Sequence, residues 1–479
     1  MQQEVEKPLS EVDSPTDSGS FSSFFEDIVD AAGVSDEEIG DEQLLTTEKC
    51  EEIRDFLRSH GQNQFVDKYL LNDDNALSVR EVLYALRVKV PAVLELVEGE
   101  ALAPLLSLAI SRELSRRDPL PDVSTLDDVV EVIKKSNKIV LLTGAGISTS
   151  LGIPDFRSDR GVYAKLEAMG LSEPQEVFDL HVFREDPTVF YTFAKEILPS
   201  VTRFSPTHKF VKILQDKGKL LTDYTQNIDN LKILMAYREA YAEVDSDKIV
   251  QCHGSFAYAT CQTCGHRVRG TELFDDIRNG VVSRCKQPYT TANAIVAATF
   301  GALKRKRAGS DESDGSDREQ ETQRDTCNGV MKPDITFFGE ALPKAFETRL
   351  LGTDVHECDL LICIGTSLKV APVSQIIQVL PPSVPQIYIS LTPCKHAEFD
   401  VSLLGSCDDV IIYLCNQLGW KLEHEMVPDK FETKIEHTAE RTYAFLKPEA
   451  DDSKNEAGVP WEGKREIDNL DDAASVEIV

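Results

Sequence analysis

A doubly wound α/β sheet, preceded by a helical module and interrupted by a small cysteine-bearing one, is the fold class this sequence predicts. Three observations predict it. Short continuous apolar runs recur at Lys138–Thr143, Lys219–Thr222, Lys248–Gln251, Asp359–Ile364, Gln386–Ser390 and Asp409–Ile412, the pattern of strands buried on both faces of a parallel sheet. Helix-compatible segments separate several of them, as alternating βα units require. The first run leads directly into Gly144-Ala145-Gly146-Ile147-Ser148, a turn that can set backbone N–H groups and a helix N-terminus against a phosphate.

The remaining elements follow in chain order. Residues 1–48 form an acidic arm; the first 50 positions carry fourteen acidic side chains against two basic ones, too polar for a packed core. A short amphipathic piece is expected within it around Phe21–Ala32. From 49 to 118, apolar residues recur at three- and four-residue spacing (Ile53, Phe56, Leu57; Val79, Val82, Leu83, Leu86), predicting a helical module. Pro119 and Pro121 end it. Ser124-Thr125 then reads as an N-cap for a helix over Leu126–Lys135. The main domain runs from 119 to 425, with the cysteine module at about 254–330 and a low-complexity, solvated insertion at 286–326. After Trp420 a helix is expected over Lys430–Phe445, within a 426–479 segment that ends in an acidic tail. No internal repeat is visible.

Composition narrows the function classes. In 479 residues the net charge is −31, with 41% apolar and 28% charged residues. That balance argues against sequence-independent DNA binding, which needs a cationic face. It suits basic partners such as lysine-rich tails, or serves only to keep the ends soluble. No stretch approaches the roughly 20 apolar residues of a membrane span. The N-terminus has neither the basic start nor the apolar run of a secretory signal. Export is therefore not expected, and the eleven cysteines read as metal ligands or core residues rather than disulfides.

Two further clusters carry chemistry. Gln226-Asn227-Ile228-Asp229 offers amides and a carboxylate, and Gly152-Ile153-Pro154-Asp155-Phe156-Arg157-Ser158 ends in a guanidinium suited to bidentate phosphate or carboxylate binding. His253 can act as a base near neutral pH, although a lone histidine is more often structural. Cys261 and Cys264 have zinc-ligand spacing.

Together these segments resemble the sirtuin family of NAD-dependent protein-lysine deacylases. The resemblance covers all fifteen positions of 144–158 and resumes at Thr225–Leu231, at His253, at Lys332-Pro333-Asp334-Ile335-Thr336-Phe337-Phe338-Gly339-Glu340 and at Gly365-Thr366-Ser367-Leu368. It spans roughly 120–420, and the helical module resembles the N-terminal extension of fungal nuclear sirtuins. It implies a Rossmann-like NAD domain, a small zinc domain and a substrate cleft between them. Cofactor would be held by Gly144, Ala145, Gly146, Ser148, Asp155, Phe156, Arg157 and Tyr163, by Gln226, Asn227, Ile228 and Asp229, and on the adenosine side by Gly365, Thr366, Ser367, Ser390, Leu391 and Cys407. Asp229 would take the nicotinamide carboxamide. Asn227 would organise the ribose and a water. Thr336, Phe338, Gly339 and Glu340 would pair with substrate backbone. By the same analogy the substrate's acetyl oxygen attacks the ribose as nicotinamide leaves, and His253 takes a proton from a ribose hydroxyl.

The metal site departs from the family pattern. Cys285 follows as third ligand, but no cysteine stands two residues later; the next is Cys327, beyond the insertion, with His266 as the alternative fourth ligand. A long excursion between ligands is tolerable because loop-closure cost grows logarithmically. A second departure is residues 232–247, which are longer than the family pattern and lack its short glycine turn. The expected function is NAD-dependent deacetylation of histone tails in chromatin silencing, with chromatin-associated partners, one structural zinc and no membrane. The alternatives are a catalytically impaired NAD- or acyl-lysine-binding scaffold and mono-ADP-ribosyl transfer. Hydride transfer is disfavoured, since the third glycine and the spaced ribose-binding acid are missing. Lys304-Arg305-Lys306-Arg307 is a candidate nuclear-import cluster, so residence in the nucleus is expected.

Overall fold

A computed structural model of the chain describes residues 45–446, apart from 72–75, 89, 91–98, 115, 159–160, 172, 199–202, 230–243 and 289–325. The expected piece at Phe21–Ala32, the basic cluster Lys304–Arg307 and most of the atypical 232–247 segment lie outside the described residues.

The main sheet has eight strands: β1 (Ile139–Thr143), β2 (Leu220–Thr225), β3 (Ile249–Gln251), β7 (Leu360–Ile364), β8 (Gln386–Ser390), β9 (Val401–Leu404), β10 (Lys434–Ala439) and β11 (Thr442–Leu446). Their spatial order is β10-β11-β9-β8-β7-β1-β2-β3. All neighbours are parallel except the antiparallel β10–β11 pair. Every residue of β1, β2, β7 and β8 is buried, which explains why these strands read as largely apolar runs, with the polar Thr222, Asp223 and Thr225 of β2 buried as well. The helices Leu126–Lys135, Pro206–Asp216 and Cys407–Leu418 pack on one face, contributing Val129, Ile133, Phe210, Leu214, Val410, Ile411 and Leu414 to one core. On the other face, Phe346, Val373, Ile376 and Leu380 cover Val140, Leu142 and Tyr224.

Because β1 lies between β2 and β7, the chain leaves it at the point where strand order reverses. Open α/β sheets bind ligands in the crevice at such a switch point.

Two expectations are corrected. Asp409–Ile412 is helical, part of Cys407–Leu418. A short apolar run is ambiguous between strand and helix; here Cys407, Val410, Ile411, Leu414, Cys415 and Leu418 recur at helical spacing into the core, and Gly419 ends the helix in a left-handed conformation. The neighbouring strand is instead Val401–Leu404, with Val401 and Leu403 pointing in. Lys430–Phe445 forms no helix but supplies the β10–β11 hairpin, which adds to the sheet through Thr442–Ala444 on Ser402–Leu404. Pairing with the edge of β9 overrides local pattern, as Ile435, Tyr443 and Phe445 pack onto the core.

The second sheet is small and antiparallel, ordered β5-β4-β6 from β4 (Gly254–Cys261), β5 (Arg267–Arg269) and β6 (Met331–Ile335). With the segments around Phe178, Phe190 and Phe337 it forms a separate aromatic core. Thr47–Val66, Val79–Ala85 and Ala103–Leu114 form the expected helical module, with Ile53, Leu57, Leu83 and Leu105 fully buried. The module is clamped to the main domain. Arg117 donates both terminal nitrogens to Asp400 at 3.1 and 2.9 Å, and Arg116 reaches Glu398 at 2.6 Å.

Candidate active site

Three loops meet beyond the ends of β1, β2 and β7. Thr143 accepts the Gln226 N–H at 2.8 Å, and Gly146 N donates to Gly365 O at 2.8 Å. The glycines are required by this crossing. A Cβ on Gly144 would sit 2.6 Å from Gly365 O, one on Gly146 2.7 Å from Gly365 Cα, and one on Gly365 2.7 Å from Ile147 N. The loops therefore touch backbone to backbone, and the chain leaves them through two short 3-10 turns, Ala145–Ile147 and Thr149–Leu151.

Side chains complete the lattice. Gln226 Nε2 donates to Thr366 Oγ1 at 3.1 Å. Ser148 Oγ donates to Asp229 Oδ2 at 2.8 Å and accepts from Asn227 Nδ2 at 3.4 Å. Asn227 is buried, and its Oδ1 is sealed with no hydrogen-bond partner.

His253 stands two residues past the edge strand β3. Its Nδ1 lies 3.0 Å from Gln226 O. A carbonyl only accepts, so Nδ1 carries the hydrogen and Nε2 is the basic nitrogen. That Nε2 is also buried without a partner. Burial pushes the His253 pKa below its ordinary value, against a weaker raising effect of the Gln226 bond. Buried polar atoms are normally satisfied. With such atoms at residues 227 and 253, an amide and an imidazole would suit a hydroxyl-bearing ligand such as a ribose.

The metal cluster is equally definite. Sulfur atoms of Cys261, Cys264, Cys285 and Cys327 all lie within 4.8 Å of one another, with Cys261–Cys327 at 3.8 Å and Cys264–Cys285 at 3.7 Å. A tetrahedral ion with Zn–S bonds of about 2.3 Å sets its sulfurs about 3.8 Å apart, so the cluster fits zinc. Thr263 N and Cys264 N both donate to Cys261 Sγ at 3.4 Å, as metal-binding turns do. Cys285 and Cys327 are adjacent because Cys285 N donates to Gly329 O and Cys327 N to Gln287 O, each at 2.8 Å. Residues 286–288 and 326, expected within the insertion, are thus the ordered base of that excursion. His266 lies outside the four-sulfur cluster; its ring contacts Gln287 Nε2 at 2.8 Å.

Comparison with known proteins agrees with this geometry. The Sir2 family matches residues 144–372. The NAD-dependent histone deacetylase sir2 of Schizosaccharomyces pombe is 47% identical over 404 residues, 83% of this chain and 80% of that one. The chain belongs to the Sir2 family. The NAD-dependent histone deacetylase SIR2 of Saccharomyces cerevisiae is 42% identical over 405 residues, 78% of this chain and 70% of its own. Sirtuin-1 of Drosophila melanogaster is 42% identical over 309 residues, 64% of this chain and 34% of that protein.

The other expected site residues of this Sir2 chain fall as follows. Asp155 Oδ1 caps its own loop through Ser158 N at 2.8 Å, and Phe156 packs edge-on against Tyr163 at 5.9 Å. Ala145 and Ile228 are half-buried, and Arg157 is exposed. Ser367 is exposed, Ser390 closes β8, and Leu391 is 74% exposed. Cys407 has its thiol buried among core residues and pushed up to about 12 by desolvation, so it is its backbone that would face a cofactor. In the expected substrate segment, Thr336 N donates to His253 O at 2.8 Å, and Phe338 and Gly339 are exposed. Glu340 is engaged internally, accepting from buried Lys332 Nζ and from Phe337 N, both at 2.8 Å. Sequence reading passed over Ser205, whose Oγ donates to Ile147 O at 2.9 Å. The Ser205-Pro206-Thr207-His208 start of its helix, a capping pattern, was the available signal.

Proposed function

We propose that this protein is an NAD-dependent protein-lysine deacetylase acting on acetylated histone tails. The observation that carries the reading is the pair of buried, unpartnered acceptors, Asn227 Oδ1 and His253 Nε2, at the switch point of a Sir2-family sheet. Bound NAD would supply an activated ribose carbon to receive the acetyl group as nicotinamide departs. The chain's own residues prepare that place. Residues 144–148 and 365–366 lock each other, the Ser148 hydroxyl orients the Asp229 carboxylate, and Asn227 offers an acceptor to a hydroxyl or water. His253 holds its proton on Nδ1 and accepts another on Nε2; a positioned base of this kind contributes roughly 10²–10⁴-fold. Cys261, Cys264, Cys285 and Cys327 would hold one zinc as four thiolates, a closed set without an open position and so structural.

Exposed Phe338 and Gly339 suit an extended peptide paired through its backbone. The acidic chain suits a basic tail, and silencing of chromatin in the nucleus is the role consistent with relatives named histone deacetylases. Among the described residues no helix is long and apolar enough to cross a membrane. The test is nicotinamide release by the full chain with and without an acetyl-lysine histone peptide. Release that requires the peptide and yields free lysine is expected. Release without it, or ADP-ribosylated protein as product, would point to transfer chemistry instead.

A further inference from the structure

We propose that Ser205 is a positioning residue for the cofactor loop, setting the Ser148–Asp229 bridge through the carbonyl of Ile147. The inference rests on reading residues 144–148 and 226–229 as the NAD site.

Ser205 is fully buried and caps the helix Pro206–Asp216. A cap needs only to accept from its own helix. This hydroxyl does more, donating to Ile147 O across the fold at 2.9 Å. Ile147 closes the 3-10 turn Ala145–Ile147, and the next residue is Ser148. Whatever holds the 147–148 peptide therefore orients the hydroxyl that meets Asp229 at 2.8 Å and Asn227 at 3.4 Å.

Ser205 is itself held from behind. His208 N and the His208 ring reciprocate with it in a capping box, and Pro206 presets the first helical turn. Thr207 donates its N–H and its hydroxyl to Asp408 Oδ1 at 3.0 and 2.5 Å. Asp408 is a buried acid in the first turn of Cys407–Leu418. One carboxylate thus joins two helix N-termini, where negative charge is favoured. The result is a buried polar support under the cofactor loop, with Ser205 as its point of contact.

Without the hydroxyl, the 147–148 peptide samples other orientations and the binding-competent loop is populated only part of the time. Apparent affinity falls by that fraction. Losing one hydrogen bond predicts a rise of roughly three- to tenfold in Kd and KM for NAD, with kcat at saturating NAD unchanged within about twofold.

The experiment uses the full chain with NAD as probe, in calorimetry and steady-state kinetics, on Ser205→Ala and Ser205→Gly. Glycine is a tolerated cap, so it reports even if the alanine variant folds poorly. Thr125→Ala is the control, since Thr125 caps Leu126–Lys135 in a similar box and its side-chain bond stays within that helix start. The proposal expects weaker NAD binding in both Ser205 variants, none in Thr125→Ala at comparable loss of melting temperature, and no further effect of Ser205→Ala on a Ser148→Ala background. Unchanged NAD binding, an equal effect from Thr125→Ala, or a full additional effect on the Ser148→Ala background would overturn it. A wild-type chain that bound no NAD would overturn the cofactor reading and this inference together. Wild-type binding that the substitutions leave intact would overturn this inference alone.

Discussion

Replacing His253 by alanine separates chemistry from binding. The imidazole contributes one hydrogen bond, Nδ1 to Gln226 O at 3.0 Å. Its removal should cost the fold only about 0.5–1.5 kcal/mol. The same change removes the buried Nε2 acceptor. Loss of a general base predicts a fall in deacetylation of roughly 10²–10⁴-fold, which at 1.36 kcal/mol per decade is about 2.7–5.4 kcal/mol of barrier. The assay is turnover of an acetyl-lysine peptide beside calorimetric NAD binding. NAD affinity should remain largely intact while turnover collapses; a variant keeping a tenth of wild-type turnover would refute the assignment of His253 as base. The pH dependence has a definite sign. Burial lowers the folded pKa, so His253 stays neutral as pH falls past the unperturbed value of about 6.5, and activity declines only as pH passes through the lowered folded value. Stability behaves alike: the contribution is complete above the unfolded pKa, diminishes as the unfolded chain takes up protons, and is gone once pH has fallen through the folded one.

Further outcomes are expected. Cys327→Ser should lower zinc content below one ion per chain and destabilise the small module; metal analysis that still finds one zinc would remove Cys327 from the ligand set. Asp400→Ala leaves the Arg117 guanidinium, 8% exposed, facing an emptied position and strips acceptors from Leu120 N and Gln386 N. Breaking a buried pair of this kind costs roughly 3–5 kcal/mol, and a denaturation loss under about 1 kcal/mol would contradict it. Alanine at all four positions of Lys304–Arg307 should reduce nuclear accumulation of a fluorescent fusion. Unchanged accumulation would exclude that cluster as the sole signal.

Much of this architecture was legible because burial on both faces leaves a direct imprint. β7 is apolar throughout, β1 and β8 are apolar between their ends, and the bounds of all three agree with the expected runs to within one residue. The glycine loop was legible as well, though for a partly different reason: Gly144 and Gly146 make room for the Gly365 backbone. Legibility failed where distant partners decide. Asp409–Ile412 is four residues of a longer helix whose period shows only with Cys407 and Leu418 included. The β10–β11 hairpin exists because β9 presents an edge to it, which no local pattern reports. Cys327 was legible as the next cysteine after Cys285, whereas that its sulfur joins the cluster and His266 turns to Gln287 instead needed the fold. Ser205 escaped because its capping pattern reports only its own helix, not the bond across the fold to Ile147 O.

The cysteine cluster closes off its own excursion. Pro288 and Thr326 are bridged, and the pairing of Cys285 and Cys327 with Gly329 and Gln287 is complete on the cluster side of that bridge. Ligand geometry is therefore decoupled from the length of chain leaving at 288 and returning at 326. Doubling such a loop adds only about 0.6 kcal/mol of closure entropy. This makes the segment a splice port: a reporter domain or affinity handle inserted between Pro288 and Thr326 would ride on the enzyme while the thiolates, the His253 edge and the cofactor loops keep their registers.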